Sequence, residues 1–366
     1  MKLIYLSNAV IPSKKAHSVH IMKMCRSFVR AGANVNLVSA KREGEYHHSK
    51  NPYELYSVRP DFKIYKVQWF SCLPGKYYLY GLMSALKSIS LKPDLIYSRY
   101  LFGGFFAAIF GKKVVFESHS DEFNRGQIHK WMIRYLCRSN RCKKIVVISN
   151  ALKKAYLTEF PDLNKKIIVA HDGADRFMPP EVPAENKFTV GYVGSFNRGK
   201  GMEILSELIK KCPDTYFKIA GGSDKNLTDW RAVLENYSNV KLLGFIPHGE
   251  VHTLLSSVDV LIAPYQKEVY AGEDIVQWMS PLKIFEYMSA QKPIICSNLS
   301  VLREILEDGR NALLCDPDNL EEWVEAIQKL KVQPALRKSI SLAAFKDFEE
   351  NYLWDQRAKM ILDKVQ

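Results

Sequence analysis

Apolar residues in the first half of the chain alternate between short β-branched runs and longer segments with helical spacing. The strand-like runs are KLIYLS (2–7), ANVNLVS (33–39), DLIYS (94–98), KVVFES (113–118), KKIVVIS (143–149) and KIIVAH (166–171). Helix-like segments lie between them at 18–31, 76–90, 101–110, 126–140 and 150–159. Near-continuous apolar strands separated by helices are typical of parallel sheets covered on both faces. The pattern therefore predicts a doubly wound α/β domain.

The same pattern restarts in the second half of the chain. Its strand-like runs are FTVGYVGS (188–195), YFKIAGG (216–222), VKLLGF (240–245), DVLIAPY (259–265), KPIICS (292–297) and NALLC (311–315). Between the halves, DRFMPPEVPAENK (175–187) holds three prolines and no periodicity, which indicates a linker. A chain of 366 residues is long enough for two cores. We predict an α/β protein with two Rossmann-like, doubly wound parallel-sheet domains that face an inter-domain cleft, because ligands bind beyond the carboxyl ends of such strands.

Candidate phosphate chemistry follows the first strand of the second half. The strand ends in GSFNRGKG, in which Gly194 permits close backbone approach and Lys200 places a cation before the next helix. Free helix N–H groups beside a cation suit a phosphate. The spacing matches neither GxxxxGK[ST] nor GxGxxG, so the P-loop and dinucleotide motifs are both excluded here. An ordinary glycine turn with a solvated lysine remains the alternative.

A second candidate is the helix start SPLKIFEY. Ser280 is a good N-cap and Pro281 suits the first helical position, which leaves the N–H groups of Leu282 and Lys283 available to an anion. Glu286 lies one turn further, where a carboxylate can accept both hydroxyls of a ribose. The two features together predict a nucleoside diphosphate. The alternative is an (i, i+3) surface pair between Lys283 and Glu286.

These stretches resemble a known family. VGSFNRGKG, VKLLGFIPHGEVHTLLSSVDVLIAPY, SPLKIFEYMSAQKPIICSNLSVLREIL and DGRNALLCDPDNLEEWVEAI occur in the order and spacing of glycosyltransferase family 4, nucleotide-sugar-dependent enzymes with the two-domain GT-B fold. They cover nearly all of 188–330, and GANVNLVS, VVFESH and KKIVVISN are similar more loosely in the first half. The resemblance implies an N-terminal acceptor domain (1–178), a C-terminal donor domain (187–345) and a last helix (346–366) that packs back on the first domain.

The resemblance also implies roles for individual residues. Lys200 would hold the donor pyrophosphate with help from Arg198, and Glu286 would take the ribose hydroxyls. His119 would touch the donor sugar near the reacting carbon. The remaining implied contacts come from backbone around Phe245 and Ile246 for the base, and from main-chain groups of Ser280, Pro281, Leu282 and Lys283 for the β-phosphate or sugar. For His119, a satisfied histidine in a buried turn is the alternative.

Three departures from the family pattern concern the donor site. Ser195 stands where relatives often have an arginine, and Trp278 stands where they often have a glutamate that contacts the donor sugar. Glu273, Asp274 or Gln277 are the candidates to replace that glutamate. The first loop is IPSKKAHS rather than glycine-rich, and it brings Lys15 and His17 near the equivalent place.

The resemblance implies a retaining transfer without a bound metal or other cofactor, from a UDP- or GDP-sugar. Lys200, Arg198 and the helix N-terminus would stabilise the departing diphosphate, one of whose oxygens would accept the acceptor's proton. Two alternatives stay open. One is a nucleotide-sugar epimerase of the same fold, and the other is a degenerate, non-catalytic nucleotide-sugar-binding protein.

The charge is unevenly spread and bears on the acceptor. Residues 1–180 carry 30 lysines and arginines against 12 acidic residues (+18), whereas residues 181–366 carry 22 against 27 (−5). Basic and aromatic residues are interleaved in 69–88 and 125–144. We therefore expect an anionic membrane surface and a glycan or lipid-linked acceptor, and no nucleic acid, since no reader module is present. The alternative is that these apolar residues are core and the charges merely solvated.

Cysteine usage and the N-terminus bear on the compartment. The seven cysteines form no CxxC pair, and MKLIYLSNAV reads as a strand rather than a signal peptide. We expect a cytoplasmic protein with reduced thiols that associates peripherally with the inner face of the membrane. We expect it to act in the synthesis of a cell-surface polysaccharide or glycolipid.

Overall fold

The computed structural model describes residues 1–42, 51–176, 187–267 and 275–365. The chain forms two compact units. The N-terminal unit comprises Met1–Asp172 together with Trp354–Gln366, and the C-terminal unit comprises Gly173–Leu353. Each unit is built around one parallel sheet.

The sheet of the N-terminal unit has seven parallel strands in the order β3-β2-β1-β4-β5-β6-β7. The strands are β1 (Lys2–Val10), β2 (Asn34–Lys41), β3 (Lys63–Gln68), β4 (Leu95–Ser98), β5 (Val114–Ser118), β6 (Cys142–Val147) and β7 (Ile167–Val169). Its helices are α1 (Ala16–Arg30), α2 (Pro52–Leu55), α3 (Lys76–Ser90), α4 (Leu101–Ile109), α5 (Gln127–Arg138), α6 (Asn150–Glu159) and the last helix, Trp354–Asp363. The order reverses between β1 and β4, which is where ligands bind in doubly wound sheets.

The sheet of the C-terminal unit repeats this arrangement with six parallel strands in the order β10-β9-β8-β11-β12-β13. The strands are β8 (Thr189–Gly194), β9 (Tyr216–Gly221), β10 (Val240–Gly244), β11 (Val260–Ala263), β12 (Ile294–Ser297) and β13 (Leu313–Cys315). The helices are α7 (Met202–Lys211), α8 (Asp224–Leu234), α9 (His248–Ser256), α10 (Leu282–Ser289), α11 (Leu320–Val332) and α12 (Pro334–Asn351). Here the order reverses between β8 and β11.

All twelve strand-like runs form strands, so the prediction of two doubly wound sheets is confirmed. The sequence prediction missed β3, because its apolar residues alternate with Lys63, Lys66 and Gln68 at the sheet edge. The apolar run 100–110 forms the largely buried helix α4, as expected. The predicted linker lies largely in 177–186, outside the described residues.

The last helix, α13 (Trp354–Asp363), belongs to the N-terminal unit and packs on α1. Ser27 and Arg30 of α1 donate to the Asp355 carboxylate at 2.6 and 3.1 Å, and the ring of His20 lies 5.1 Å from that of Trp354. Across the described ranges, no helix is both long and apolar enough to cross a membrane.

Candidate active site

The loop after β8 is held from below by a buried tyrosine. The Tyr192 hydroxyl lies 2.8 Å from the carbonyl oxygen of Ser195 and 2.9 Å from that of Lys200, so it ties both ends of the loop to the sheet. Gly201 ends the loop with a φ of +114°, and a β-carbon there would lie 2.5 Å from the carbonyl oxygen of Pro264. The close approach to the end of β11 therefore requires glycine. The loop is a positioned element rather than a solvated turn.

Two lysines converge on this loop. The Lys200 Nζ lies 5.7 Å from the ring centre of Tyr265, and the Lys283 Nζ lies 4.9 Å from the same ring and 4.0 Å from that of Tyr192. Burial lowers the pKa of Lys200. Burial and the neighbouring Lys200 lower the pKa of Lys283 to about 7. Two cations with depressed pKa values at the end of β8 form an environment that favours an anion.

The start of α10 differs from its prediction by one residue. Pro281, not Ser280, is the N-cap, and α10 begins at Leu282. The Pro281 backbone is extended (φ −77°, ψ 122°), and its carbonyl accepts from the N–H of Ile284 at 3.0 Å. The helix still presents its first N–H groups at this edge of the sheet. The alternative interpretation, a surface pair between Lys283 and Glu286, is wrong, because the Lys283 ammonium is buried.

Glu286 lies beside the loop that was predicted to read the base. Its Oε1 is 3.6 Å from the Nδ1 of His248, the first residue of α9, and both side chains are largely buried. Phe245 and Ile246 connect β10 to α9 and are exposed and half-buried respectively. The predicted positions for base and ribose are therefore adjacent in the C-terminal unit. Sequence reasoning missed His248, although it lies within the quoted stretch VKLLGFIPHGEV, two residues after Ile246.

The departures from the family pattern remain visible in the structure. Ser195 and Arg198 are exposed, and the Ser195 hydroxyl accepts from the N–H of Asn197 at 3.1 Å. Trp278 is half-buried and Gln277 is exposed, both just before α10. The other candidate replacements, Glu273 and Asp274, lie outside the described residues.

The N-terminal unit carries a second group of candidate residues, centred on His119 at the end of β5. The Nη2 of Arg99 lies 3.1 Å from the Nδ1 of His119, and the Oε1 of Glu117 lies 3.1 Å from its Nε2. Because a guanidinium can only donate, Nδ1 accepts and Nε2–H donates to the carboxylate. Burial and Arg99 lower the pKa of His119 to about 4, which keeps this tautomer neutral. A contact between either nitrogen and a donor sugar therefore requires one of these bonds to be given up.

Arg99 also organises the first loop, where Lys15 and His17 were predicted to bind substrate. Its Nη1 donates to the carbonyl of His17 at 3.1 Å. Burial, Arg99 and Lys15 lower the pKa of His17 to about 3. Lys15 is exposed and caps α1 through its backbone. Sequence reasoning missed Arg99, although a cation directly after the strand DLIYS was a usable signal.

Glu117 is the centre of a buried ionic cluster. The Arg357 Nη2 of α13 donates to its Oε1 at 2.6 Å, and His20 lies between Glu117 and Asp172 at 3.2 and 3.0 Å. The ligand atoms of His20, Glu117, His119 and Asp172 lie within 4.8 Å of one another. A set of this kind suits a metal. Glu117, the central carboxylate of the set, is however already paired with the Arg357 guanidinium. The expectation of no metal stays a prediction.

Comparison with known proteins identifies the family. Residues 17–176 match the family described as Glycosyltransferase Family 4, and residues 174–347 match Glycosyl transferases group 1. The chain belongs to glycosyltransferase family 4. Its fold is GT-B: it is similar to Anabaena Alr3699/HepE in complex with UDP and glucose, with a TM-score of 0.74 and 17% identity over 100% of this chain and 99% of that chain.

This family 4 chain is similar in sequence to two curated glycosyltransferases. An uncharacterized glycosyltransferase of Methanocaldococcus jannaschii, MJ1178, is 26% identical over 88% of this chain and 89% of its own length. The O-antigen chain mannosyltransferase RfbU of Salmonella typhimurium is 24% identical over 64% of this chain and 63% of its own length. The chain is accordingly a glycosyltransferase.

Proposed function

We propose that this glycosyltransferase takes its sugar from a nucleoside-diphosphate donor bound in the C-terminal unit, with UDP- and GDP-sugars as the first candidates. One observation carries the proposal: Lys200 and Lys283 flank the loop after β8, while Glu286 lies one turn into α10 beside the loop after β10. Cations at a helix N-terminus suit the diphosphate, and the carboxylate suits the ribose. The similar Anabaena structure holds UDP and glucose, which supports the same choice of donor.

We further propose a retaining, metal-independent transfer. The bond between the anomeric carbon and the donor phosphate breaks on the face where the acceptor oxygen attacks, and a departing phosphate oxygen takes the acceptor's proton. Lys200 stabilises the negative charge that develops on that leaving group. We propose the neutral His119 as the contact of the donor sugar, with one of its hydrogen bonds, to Arg99 or to Glu117, exchanged for the sugar.

A thermal-shift screen of UDP-, GDP-, ADP- and TDP-sugars tests the donor, because a ligand that binds only the folded state raises its apparent stability. For the ligand that this screen identifies, Glu286→Ala should weaken binding about tenfold or more, since hydrogen bonds to a charged group contribute roughly 1.5–3 kcal/mol. Titration calorimetry with the corresponding nucleoside diphosphate measures the change.

Glu325→Ala is the matched control for this prediction. Glu325 is an exposed glutamate on α11 of the same unit, so its removal should leave donor affinity unchanged. Equal affinity in the Glu286 variant and the wild type would show that the ribose is bound elsewhere.

We propose that the acceptor is a glycan or lipid-linked glycan reached at an anionic membrane, through α3, α4 and α5 of the N-terminal unit. Met132, Ile133 and Leu136 of α5 are core, but Trp131 and Ile128 are 55% and 52% exposed. The Trp131 ring lies 5.1 Å from that of Phe105 on α4, which also packs against α3. The exposed apolar residues of α3 and its approach are Phe70, Leu73, Tyr77 and Leu86. Exposed apolar side chains amid cations favour an anionic bilayer surface.

Replacing the exposed Arg134 and Arg138 of α5 with glutamine should lower partitioning onto anionic vesicles about thirtyfold, at roughly 1 kcal/mol for each cation. Sedimentation with phosphatidylglycerol vesicles at low salt measures this, and binding should fall at high salt. The control replaces Lys241 and Lys338, two exposed lysines of the C-terminal unit, with glutamine, and it should leave partitioning onto the vesicles unchanged. Equal pelleting of both double variants and the wild type would rule out this surface.

A further inference from the structure

The resemblance to family 4 implies an arginine directly after the strand-end glycine of β8, and this chain has Ser195 there. The structure brings a different cation to that place. A β-carbon built on Gly194 would lie 2.6 Å from the Nζ of Lys283, so the ammonium lies against the residue that precedes Ser195. Lys283 belongs to α10, which follows β11 in the chain, whereas the loop follows β8.

Nothing in the described part of the chain hydrogen-bonds the Lys283 ammonium. It is buried above the Tyr192 ring at 4.0 Å and faces Tyr265 at 4.9 Å. The other titratable groups that act on it are Lys200, Glu286 and the buried Cys296 of β12. Burying an ammonium without a hydrogen-bonding partner costs free energy, which either loss of the proton or an anion nearby relieves. The tyrosine rings offset part of this cost.

We propose that Lys283 is a positioning residue for the donor diphosphate: its buried ammonium replaces the missing loop arginine, acting from beneath Gly194. The inference rests on the proposed donor site. Because the atom is enclosed, it acts on the diphosphate through its field and through the loop that Tyr192 ties down, rather than by touching the ligand. Charges separated by protein interact more strongly than charges separated by water at the same distance.

This arrangement links donor binding to proton uptake. Burial and Lys200 lower the pKa of Lys283 to about 7 in the free protein. A bound diphosphate favours the charged form and raises that pKa. Above the free pKa, binding therefore takes up a proton, and affinity falls as the pH rises.

Calorimetric titration of the full chain with UDP, GDP and inorganic pyrophosphate, at about pH 8 in two buffers of different ionisation enthalpy, measures the protons taken up. We expect the wild type to take up between about half and one proton for each ligand bound. Lys283→Met should abolish most of this uptake and weaken binding about tenfold at about pH 6.5, which corresponds to about 1.4 kcal/mol. Lys283→Arg, which stays charged, should bind without uptake and with a flat pH profile.

Lys292→Met is the control, because Lys292 is another half-buried lysine whose pKa is lowered by burial. Lys292 precedes the amino end of β12, whereas Cys296, which acts on Lys283, lies near the carboxyl end of that strand. The Lys292→Met variant should keep the wild-type uptake and affinity. An absence of uptake by the wild type, or a Lys283→Met variant with wild-type uptake and affinity, would overturn the inference while leaving the donor site standing. If none of the three probes bound the wild type, the proposed function itself would be wrong.

Discussion

Replacing Lys200 with alanine should lower kcat for sugar transfer about 10²–10³-fold, the range seen when one group that stabilises a developing negative charge is removed. Lys200 is the cation of the loop after β8, and its pKa is lowered by burial, so its charge acts in a partly water-excluded place. The effect should fall on kcat more than on KM, because the leaving diphosphate gains charge only as the bond breaks. Release of nucleoside diphosphate from the donor selected by the thermal-shift screen measures it.

Lys210→Ala is the matched control for Lys200. Lys210 lies on α7, directly after the same loop, but its ammonium is at the surface and pairs with Glu207. Its removal should leave kcat within about twofold of the wild type, as expected for an exposed pair. If the two variants had equal rates, Lys200 would have no part in stabilising the leaving group.

Replacing Arg357 with methionine should destabilise the N-terminal unit by about 3–5 kcal/mol, because it leaves a buried carboxylate without its cation. Glu117 is 1% exposed, and burial acts to raise its pKa. Arg357 and, next, His20 outweigh burial and hold the pKa of Glu117 well below the usual range. Arg357 also donates to the carbonyls of Ala170 and His171 at 3.1 and 2.8 Å. Urea unfolding, evaluated on the transition of this unit, gives the loss.

Arg30→Met provides a control on the same pair of helices. Arg30 joins α1 to α13 through Asp355, but both side chains of this pair are about half exposed. Its loss should cost less than about 1 kcal/mol. Combining Arg357→Met with Glu117→Gln should restore part of the stability, because the unpaired charge is then gone. A loss no larger than that of Arg30→Met would show that the buried pair contributes little.

The elements of the fold could be predicted from the sequence, and part of the proposed donor site could be inferred from it, because their signals are local. A β-branched run reads as a buried strand wherever it occurs, and residues at strand ends in a parallel sheet meet at one edge. Lys200 follows from that rule, and Glu286 follows from its place one turn into the helix that SPLKIFEY predicts. The edge strand β3 could not be predicted in the same way, since one polar side of an edge strand breaks the apolar run.

The positions of the cations depend on contacts between distant residues. For Lys283 the sequence left a surface pair with Glu286 open as an alternative, because the (i, i+3) spacing of the two residues does not show whether the ammonium is buried. Only the packing of α10 against Tyr192 and Tyr265 turns its side chain inward. Arg357 is similar: it lies 240 residues after Glu117, in a last helix that the resemblance assigns to the first domain without indicating which residue it contacts.

The sequence by itself determined the two parallel sheets and the family, because hydrophobic periodicity and motif spacing are properties of consecutive residues. For the same reason it was enough to propose the edge of the second sheet as the place of a diphosphate and a ribose. The tertiary structure alone decided which charges are buried and what surrounds them. It moved Lys283 beneath the loop after β8, fixed the neutral tautomer of His119 between Arg99 and Glu117, and placed Arg357 on that glutamate. The reason is physical: the free energy of a charge depends on its desolvation and on its neighbours in space, and neither is a local property of the chain.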